Sequence, residues 1–298
     1  MTDERAGLTF REDYFDDPAG WVAVKALLVD VFGVDVSPLD RLGGPDRTLM
    51  SSAWFDESGR CVANFSAFSM PLVIDGHPVK AAALQSGAVV PEYRGRGLFR
   101  DLVRRMLQRC EEQGFEAIVL YTDKPQLYEP YGFRILPEHR FAGAAPVVKE
   151  ASPSCRPLDM NNAEDISLVR QLLENRAPVS QRLAACRNTQ TFLLNTALVE
   201  GVTFSLLPQH SAVIAWSENQ DGSVFTLQDV VAARIPSLGE ILQAIGRHPE
   251  TVEVLFAPDR LAWEGDCIAE DGDLRFMMRD DAGLSPKGPF RLSPMAEF

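Results

Sequence analysis

The stretch Val89-Val-Pro-Glu-Tyr-Arg-Gly-Arg-Gly-Leu98 decides how this chain of 298 residues is interpreted. An apolar run leads into Pro91, and Arg94-Gly-Arg-Gly97 follows at once. Behind the glycines, residues 98–110 repeat apolar side chains at helical spacing, with arginines on the other side. The stretch therefore predicts a strand, a tight glycine turn and the start of an amphipathic helix.

The glycine turn and the helix behind it suit an anion. The first amides of a helix have no partner within the helix and carry the positive end of its dipole, and glycine lets the backbone approach a ligand closely. We expect a pyrophosphate group to bind the amides of residues 95–99, with Arg94 and Arg96 adding charge. The spacing is neither Gly-x-Gly-x-x-Gly nor Gly-Lys-Ser/Thr, which argues against dinucleotide and nucleoside-triphosphate loops.

The elements around the turn predict a mixed α/β unit with a largely antiparallel sheet flanked by helices. Strands are predicted at residues 8–15, 48–55, 61–74 and 79–90, a helix from Pro18, and a strand at 115–121. A crossover helix at 98–110 would place that last strand parallel to the strand before it. A short helical piece near Gln126 and a strand from Phe133 complete the first half.

The second half predicts another α/β unit. Turn residues at 150–157 predict a boundary between a domain of residues 1–149 and one of residues 150–298. Beyond it we expect a helix at 166–175, strands at 193–207, 212–216, 224–231, 252–256 and 274–278, and a helix after Pro236 that Ser237 can cap. The order of strand, helix and strand repeats the first half weakly, although two unrelated α/β units would give the same order. The second copy lacks the glycine turn, which predicts a degenerate unit that walls a cleft or forms an oligomer contact.

Composition limits the partners. Lys and Arg total 29 against 42 for Asp and Glu, so the formal net charge is −13, which disfavours nucleic acid and anionic membranes and favours a cationic substrate. No apolar run approaches the about 20 residues that span a bilayer. Five scattered cysteines without a Cys-x-x-Cys pair and four isolated histidines predict no metal site and no Ser/His/Asp triad. We expect a soluble, reduced, cytoplasmic protein.

The loop resembles the cofactor signature of the GNAT superfamily of acyltransferases, Gln/Arg-x-x-Gly-x-Gly/Ala at the start of the central helix. Arg94 and Gly97 match the first and fourth positions, while Phe99 stands where the family prefers Gly or Ala. By element order the resemblance covers residues 8–148. It implies that acetyl-CoA is the cosubstrate, that its pyrophosphate binds residues 94–99, with Leu98 inside that range, and that its pantetheine arm follows Ala88, Val89 and Val90.

The resemblance also implies catalytic roles. Leu127-Tyr-Glu-Pro-Tyr-Gly-Phe133 is similar to a family segment whose tyrosine assists departure of the CoA thiolate, which assigns that role to Tyr128. Packing of the short helix is the alternative for Tyr128 and the favoured interpretation for Tyr131. A backbone amide at Val89 or its neighbour would polarise the acyl carbonyl.

The general base is harder to assign. Glu92 lies in the loop itself, where a solvated carboxylate of the turn explains it. In the Eis-like branch of the family, which combines GNAT-type units, a C-terminal carboxylate reaches the active site, and this resemblance makes Phe298 a candidate, although an exposed tail is the commoner arrangement.

The sequence therefore predicts an N-acetyltransferase that moves an acetyl group to a primary amine of a small molecule or a protein lysine. A sensor or scaffold that binds acyl-CoA without turnover is the alternative, and a nucleotide-binding regulator is disfavoured by the loop. A homo-oligomer is compatible with the second unit. Nothing in the sequence identifies the acceptor.

Overall fold

The structure, a computed structural model, describes residues 4–5, 7–148 and 153–298. Its helices are α1 (Pro18–Phe32), α2 (Leu98–Glu112), α3 (Ala163–Glu174), α4 (Thr189–Leu198) and α5 (Leu238–Ile245). Its strands are β1 (Glu4–Arg5), β2 (Leu8–Glu12), β3 (Met50–Asp56), β4 (Cys61–Ser69), β5 (Leu72–Ile74), β6 (His77–Val79), β7 (Ala81–Val89), β8 (Ala117–Thr122), β9 (Arg134–Ile135), β10 (His139–Ala144), β11 (Arg156–Pro157), β12 (Leu183–Ala185), β13 (Thr203–Leu207), β14 (Ala212–Glu218), β15 (Val224–Val231), β16 (Thr251–Val254), β17 (Asp266–Ala269) and β18 (Arg275–Asp280).

The first sheet has the strand order β1-β2-β3-β4-β7-β8-β18-β9. Its pairs are antiparallel except β7 with β8, which are parallel, as a crossover through α2 requires. Helix α2 buries the face predicted from its spacing, namely Leu98, Leu102, Val103, Met106, Leu107 and Cys110. The predicted mixed, largely antiparallel fold is confirmed.

The second sheet repeats this plan in the order β11-β13-β14-β15-β16-β10-β17. Strands β15 and β16 are parallel and are joined through α5, as β7 and β8 are through α2. Ser237 caps α5, as predicted, and forms a capping box with Glu240. The sequence repeat therefore corresponds to two structural units of similar plan.

The two units exchange strands. Strand β18, late in the chain, pairs with β8 in the first sheet, whereas β10 pairs with β16 and β17 in the second. The positions on either side of the predicted domain boundary, 149 and 150, lie outside the described residues. The division into 1–149 and 150–298 stays a prediction.

Two predicted strands were wrong in part. The run 193–207 begins as helix α4 and becomes strand β13 only after a turn at Gly201, whose φ is 73°. Phe192 and Leu193 are completely buried on one side of that helix, so the apolar run reflects burial and not strand alternation. The run 61–74 is divided at Pro71 into β4 and β5.

None of the helices in the described part of the chain combines the length and the apolar character needed to cross a bilayer.

Candidate active site

A cleft opens in the first sheet where β7 and β8 separate. Within residues 7–148, which the structure describes without a gap, these strands pair only at Ala81–Ala83 with Ala117–Val119, although β7 continues to Val89 and β8 to Thr122. On its other edge, β7 pairs with β4, and the register of that pairing shifts between Asn64 and Ser66 at a β-bulge. The backbone edges beyond the pairing are therefore free to bond an extended ligand.

The bulge is built around Ser86. Its φ of 58° is unusual for a residue other than glycine, and its carbonyl accepts a hydrogen bond from Asn64 Nδ2 at 2.9 Å. Asn64 is completely buried and also accepts from the Tyr14 hydroxyl. This buried polar network holds β7 in the bent path that opens the cleft.

The predicted glycine turn lies at the end of this cleft. Gly95 and Gly97 have φ angles of 75° and 78°, which side chains rarely adopt, and Gly97 is the N-cap of α2. Glycine offers no side chain to cap the helix, so the amides of the first turn are left to a ligand. The predicted glycine turn at the entrance of α2 is present, and its role as an anion site stays a prediction.

The two arginines of the turn brace it. Arg94 Nε donates to the carbonyl of Val89 at 3.1 Å, and Arg96 donates to the carbonyl of Glu92 at 3.0 Å. The Arg96 guanidinium also lies 4.6 Å from the centre of the Tyr93 ring. Both side chains are exposed.

The amide of Val89 points into the cleft. Val90 N–H donates to Val62 of β4 at 3.0 Å. Because successive amides of a strand point to opposite edges, the N–H of Val89 points away from β4 and towards β8. The position that the sequence suggested for a carbonyl-polarising donor therefore has the required direction.

A cavity of about 1770 Å³ follows the cleft and joins most of the predicted site residues. It is lined by Val89, Arg94, Gly95, Arg96, Gly97, Leu98, Phe99, Tyr128 and Phe298. Ala88 and Val90 are almost completely buried in the core and do not line it, so only their backbone is available to a ligand. The volume exceeds the about 300–1,000 Å³ of a pocket for one small ligand.

Tyr128 closes one side of the cavity within an aromatic cluster. Its ring centre lies 5.8 Å from that of Phe99, 6.0 Å from that of Phe133 and 6.4 Å from that of Phe65. Burial, with a smaller effect of the Asp123 carboxylate, raises the pKa of Tyr128 to about 12. The hydroxyl is therefore a neutral hydrogen-bond donor throughout the physiological range. Phe99, the departure from the family pattern, is a packing partner of this tyrosine.

Gly87 is a site residue that the sequence analysis missed. A Cβ atom there would lie 2.7 Å from Cε2 of Phe65 and 3.2 Å from the hydroxyl oxygen of Tyr128. The absence of a side chain therefore lets both rings approach β7. A glycine inside a strand was the available signal, since it marks a bulge or a close approach.

Residues 18–136 match the family model described as an acetyltransferase (GNAT) domain. We refer to this region as the GNAT domain, after the family model that it matches. The chain is similar to an uncharacterized N-acetyltransferase of Streptomyces griseus, with 35% identity over 95 residues, which is 32% of this chain and 22% of that protein. It is also similar to the uncharacterized N-acetyltransferase YhbS of Escherichia coli K12, with 36% identity over 84 residues, 28% of this chain and 48% of YhbS. The matched segments thus span less than half of these relatives.

Solved structures share the fold over most of the chain. A GCN5-related N-acetyltransferase from Kribbella flavida superimposes with a TM-score of 0.57 at 18% identity, covering 94% of this chain and 74% of that one. Eis1 from Mycobacterium abscessus superimposes with a TM-score of 0.59 at 14% identity, covering 91% and 73%. The likeness extends beyond the GNAT domain into the second unit.

The second unit has a corresponding cleft between β15 and β16, but there the cleft is filled, whereas in the GNAT domain it is open. Strands β15 and β16 pair in register from Val224–Thr251 to Leu227–Val254. Past that point, Ser293 Oγ lies 2.8 Å from Asp229 Oδ2 and 3.0 Å from the Gln228 carbonyl oxygen, and its single proton can be donated to either acceptor. Asp229 is in turn paired with Arg176, and both side chains are almost fully buried. A segment of the chain therefore occupies the edge of β15.

The same segment continues into the cavity of the GNAT domain. Asn195 Nδ2 donates to the carbonyls of Pro294, at 3.1 Å, and Glu297, at 2.8 Å. The Phe298 ring then lies 5.7 Å from the rings of both Phe68 and Tyr121. The structure thus brings Phe298 into the site, and Asn195, hidden in a run interpreted as a strand, holds the approach to it.

Two half-buried carboxyl groups, Glu138 and Glu297, lie together at this tail. Glu138 accepts hydrogen bonds from the Tyr121 hydroxyl and from Leu292 N–H, both at 2.8 Å, yet burial raises its pKa to about 7. Burial also raises the pKa of Glu297, which lies 3.6 Å from Arg291. Sequence patterns show no sign of this pair, because its members are far apart in the chain.

Replacing Gly87 with alanine should disturb the aromatic cluster. We expect Gly87→Ala to lower the free energy of unfolding by about 1–3 kcal/mol, because the Cβ overlaps the Phe65 ring. Urea denaturation measures the change. Gly239→Ala is the matched control, since a Cβ there meets nothing within 4 Å, and it should be neutral or stabilising. Equal free energies of unfolding of the two variants would show that the Phe65 ring can shift without loss of stability.

Proposed function

We propose that this chain is an acetyl-CoA-dependent N-acetyltransferase that moves the acetyl group to a primary amine by direct attack. The observation that supports the proposal most is the uncapped entrance of α2 at Gly97, placed at the end of an open strand edge that leads to Tyr128. The entrance of α2 can bind an anionic group, and the open strand edge can bind an extended arm of the same ligand.

The turn would hold the diphosphate of the cosubstrate. The amides of residues 95–99 would bind the anion, and the arginines that line the cavity, Arg94, Arg96, Arg100 and Arg104, would supply charge. The edge of β7 from Gln85 to Val89, which β8 leaves unpaired, would offer backbone donors and acceptors to the amide groups of a pantetheine arm. Ala88 and Val90 would contribute through their backbone alone.

Val89 and Tyr128 would assist two different steps of acyl transfer. As the amine nitrogen bonds to the carbonyl carbon, negative charge develops on the oxygen, and Val89 N–H can stabilise it. The carbon–sulfur bond then breaks and the thiolate leaves with the electron pair. A phenol of pKa about 12 is a weaker acid than a thiol, whose usual pKa is about 8.5. Tyr128 therefore assists mainly by donating a hydrogen bond to the sulfur.

The acceptor ammonium must lose a proton, and the α-carboxylate of Phe298 is our candidate for the base. Phe298 lines the cavity and its preceding carbonyls are held by Asn195. Deleting Phe298 should lower kcat by about 10²-fold, the contribution of a general base, while the dissociation constant for CoA stays unchanged. Steady-state kinetics and calorimetry test this, and full activity of the shortened chain would reject the assignment.

The anion site can be tested by charge at the N-cap. A Cβ at Gly97 meets nothing within 4 Å, so both Gly97→Asp and Gly97→Asn fit, and both strain the same φ. Only the aspartate carboxylate repels a diphosphate. We expect CoA to bind the Asp variant about tenfold more weakly than the Asn variant, by calorimetry. Equal affinities of the two variants would place the diphosphate elsewhere.

The role of Tyr128 can be tested without changing the packing. Tyr128→Phe keeps the ring contacts and removes the hydroxyl, so kcat should fall by about 10²-fold with the affinity for CoA unchanged. Release of free CoA thiol over a panel of amines is the measurement. A protein that binds CoA but releases none with any amine would be a sensor and not an enzyme.

A further inference from the structure

The cavity of the GNAT domain has two ends of different chemistry. Every arginine that lines it comes from the turn and the first two turns of α2, residues 94–104. Leu84, which also lines it, lies five residues before Val89 on β7, about 17 Å away at the usual rise of a strand. Away from the glycine turn at residues 94–97, the walls of the cavity include side chains of α1, of α4 and of the tail at Phe298. If the diphosphate occupies the arginine end, these walls face the acceptor.

The acceptor walls are apolar and open. Nine large apolar side chains are exposed in the described part of the chain, and five of them line this one cavity, namely Phe32, Val34, Leu127, Leu198 and Leu274. Buried apolar side chains, among them Val24, Leu28 and Phe68, continue the same surface inwards. Exposed apolar side chains gathered in a concave surface indicate a ligand with apolar groups.

Two polar side chains of α4 on the same walls, Gln190 and Asn195, are engaged by the protein itself. Gln190 of α4 accepts from Arg170 at 3.0 Å and donates to the backbone carbonyls of Leu42 and Gly44. The amide nitrogen of Asn195 donates to two carbonyls of the tail. These side chains have little capacity left for the hydroxyl groups of a sugar, and each ligand hydroxyl buried without a partner would cost binding energy.

Charge on the lining favours a single cation. Away from the arginine segment, the described residues of the lining include three acidic side chains, Asp46, Asp123 and Glu297, and one basic side chain, Lys124. Lys124 is exposed and lies 3.1 Å from the Asp123 carboxylate, so it neutralises that group. Glu297 lies 3.6 Å from Arg291, so Asp46 remains as the carboxylate on the side of the apolar walls.

We propose that the acceptor is an amphipathic primary amine, with one ammonium group and an aromatic or branched apolar body, and not a polyhydroxylated or polycationic amine. This inference rests on the proposed acetyl transfer. The ammonium group lies towards Val89, and the apolar body lies against the walls that end at Phe32 and Leu198.

Two amines of similar size separate the alternatives. We expect 4-phenylbutylamine to have a kcat/KM at least about tenfold above that of glucosamine, measured as CoA thiol released from acetyl-CoA. Spermidine, a polycation without an apolar body, should resemble glucosamine. A higher kcat/KM for glucosamine or spermidine would overturn the inference and leave the proposed acetyl transfer intact.

A matched pair of variants on α1 tests the wall itself. Phe32 is 50% exposed and lines the cavity, whereas Val22 is 62% exposed and does not. Phe32→Ala should lower kcat/KM for 4-phenylbutylamine by about tenfold and leave glucosamine unaffected, while Val22→Ala changes neither. Equal effects of the two variants would overturn the proposal.

Binding measured without turnover keeps the two proposals distinguishable. If no amine releases CoA, the proposed acetyl transfer fails, and calorimetry with 4-phenylbutylamine on the folded protein decides the nature of the cavity. An apolar amine site would be supported if Phe32→Ala weakens the binding of 4-phenylbutylamine and Val22→Ala leaves it unchanged. An absence of binding would reject it.

Discussion

The separation of β7 from β8 is the constraint on which the site depends. Two parallel strands that stop pairing after three positions leave backbone donors and acceptors without their usual partners. The separation is maintained from the other edge of β7, where the buried Asn64 side chain holds the carbonyl of Ser86 in a bulge. An opening of this kind is stable only if solvent, a ligand or another segment of the chain satisfies the exposed edge.

The two units of the molecule meet this requirement differently. In the second unit, Ser293 bonds to the edge of β15, and the buried Arg176–Asp229 pair lies behind it. Removing either charge would leave the other buried and unpaired, which makes such a pair costly to break. In the GNAT domain the edge remains open to a cavity of about 1770 Å³. One tail segment therefore closes the second cleft and delivers Phe298 to the first.

Local patterns were sufficient for the turn and the helix that are proposed to bind the cosubstrate. The glycines at positive φ, the buried face of α2 and the parallel strand after it all follow from short-range chemistry, and each is present. The incorrect prediction of a strand over all of 193–207 arose from contacts that short-range chemistry does not show. An apolar run that is buried on one side by α3 and the tail resembles a strand in sequence, and only its packing makes it a helix. Gly87 was missed because its role depends on two rings that arrive from other elements.

By itself, the sequence determined the turn at residues 94–97, the helix behind it and the candidate tyrosine, because each depends on neighbours within a few positions. Tertiary structure alone decided that β18 and β10 exchange sheets, that Asn195 holds the tail and that Glu138 and Glu297 lie close together. These features join residues about 100 or more positions apart, and no local periodicity records such contacts. The acceptor walls belong to the same class, since their apolar side chains come from α1, α4 and the tail and form one surface only when the two units pack.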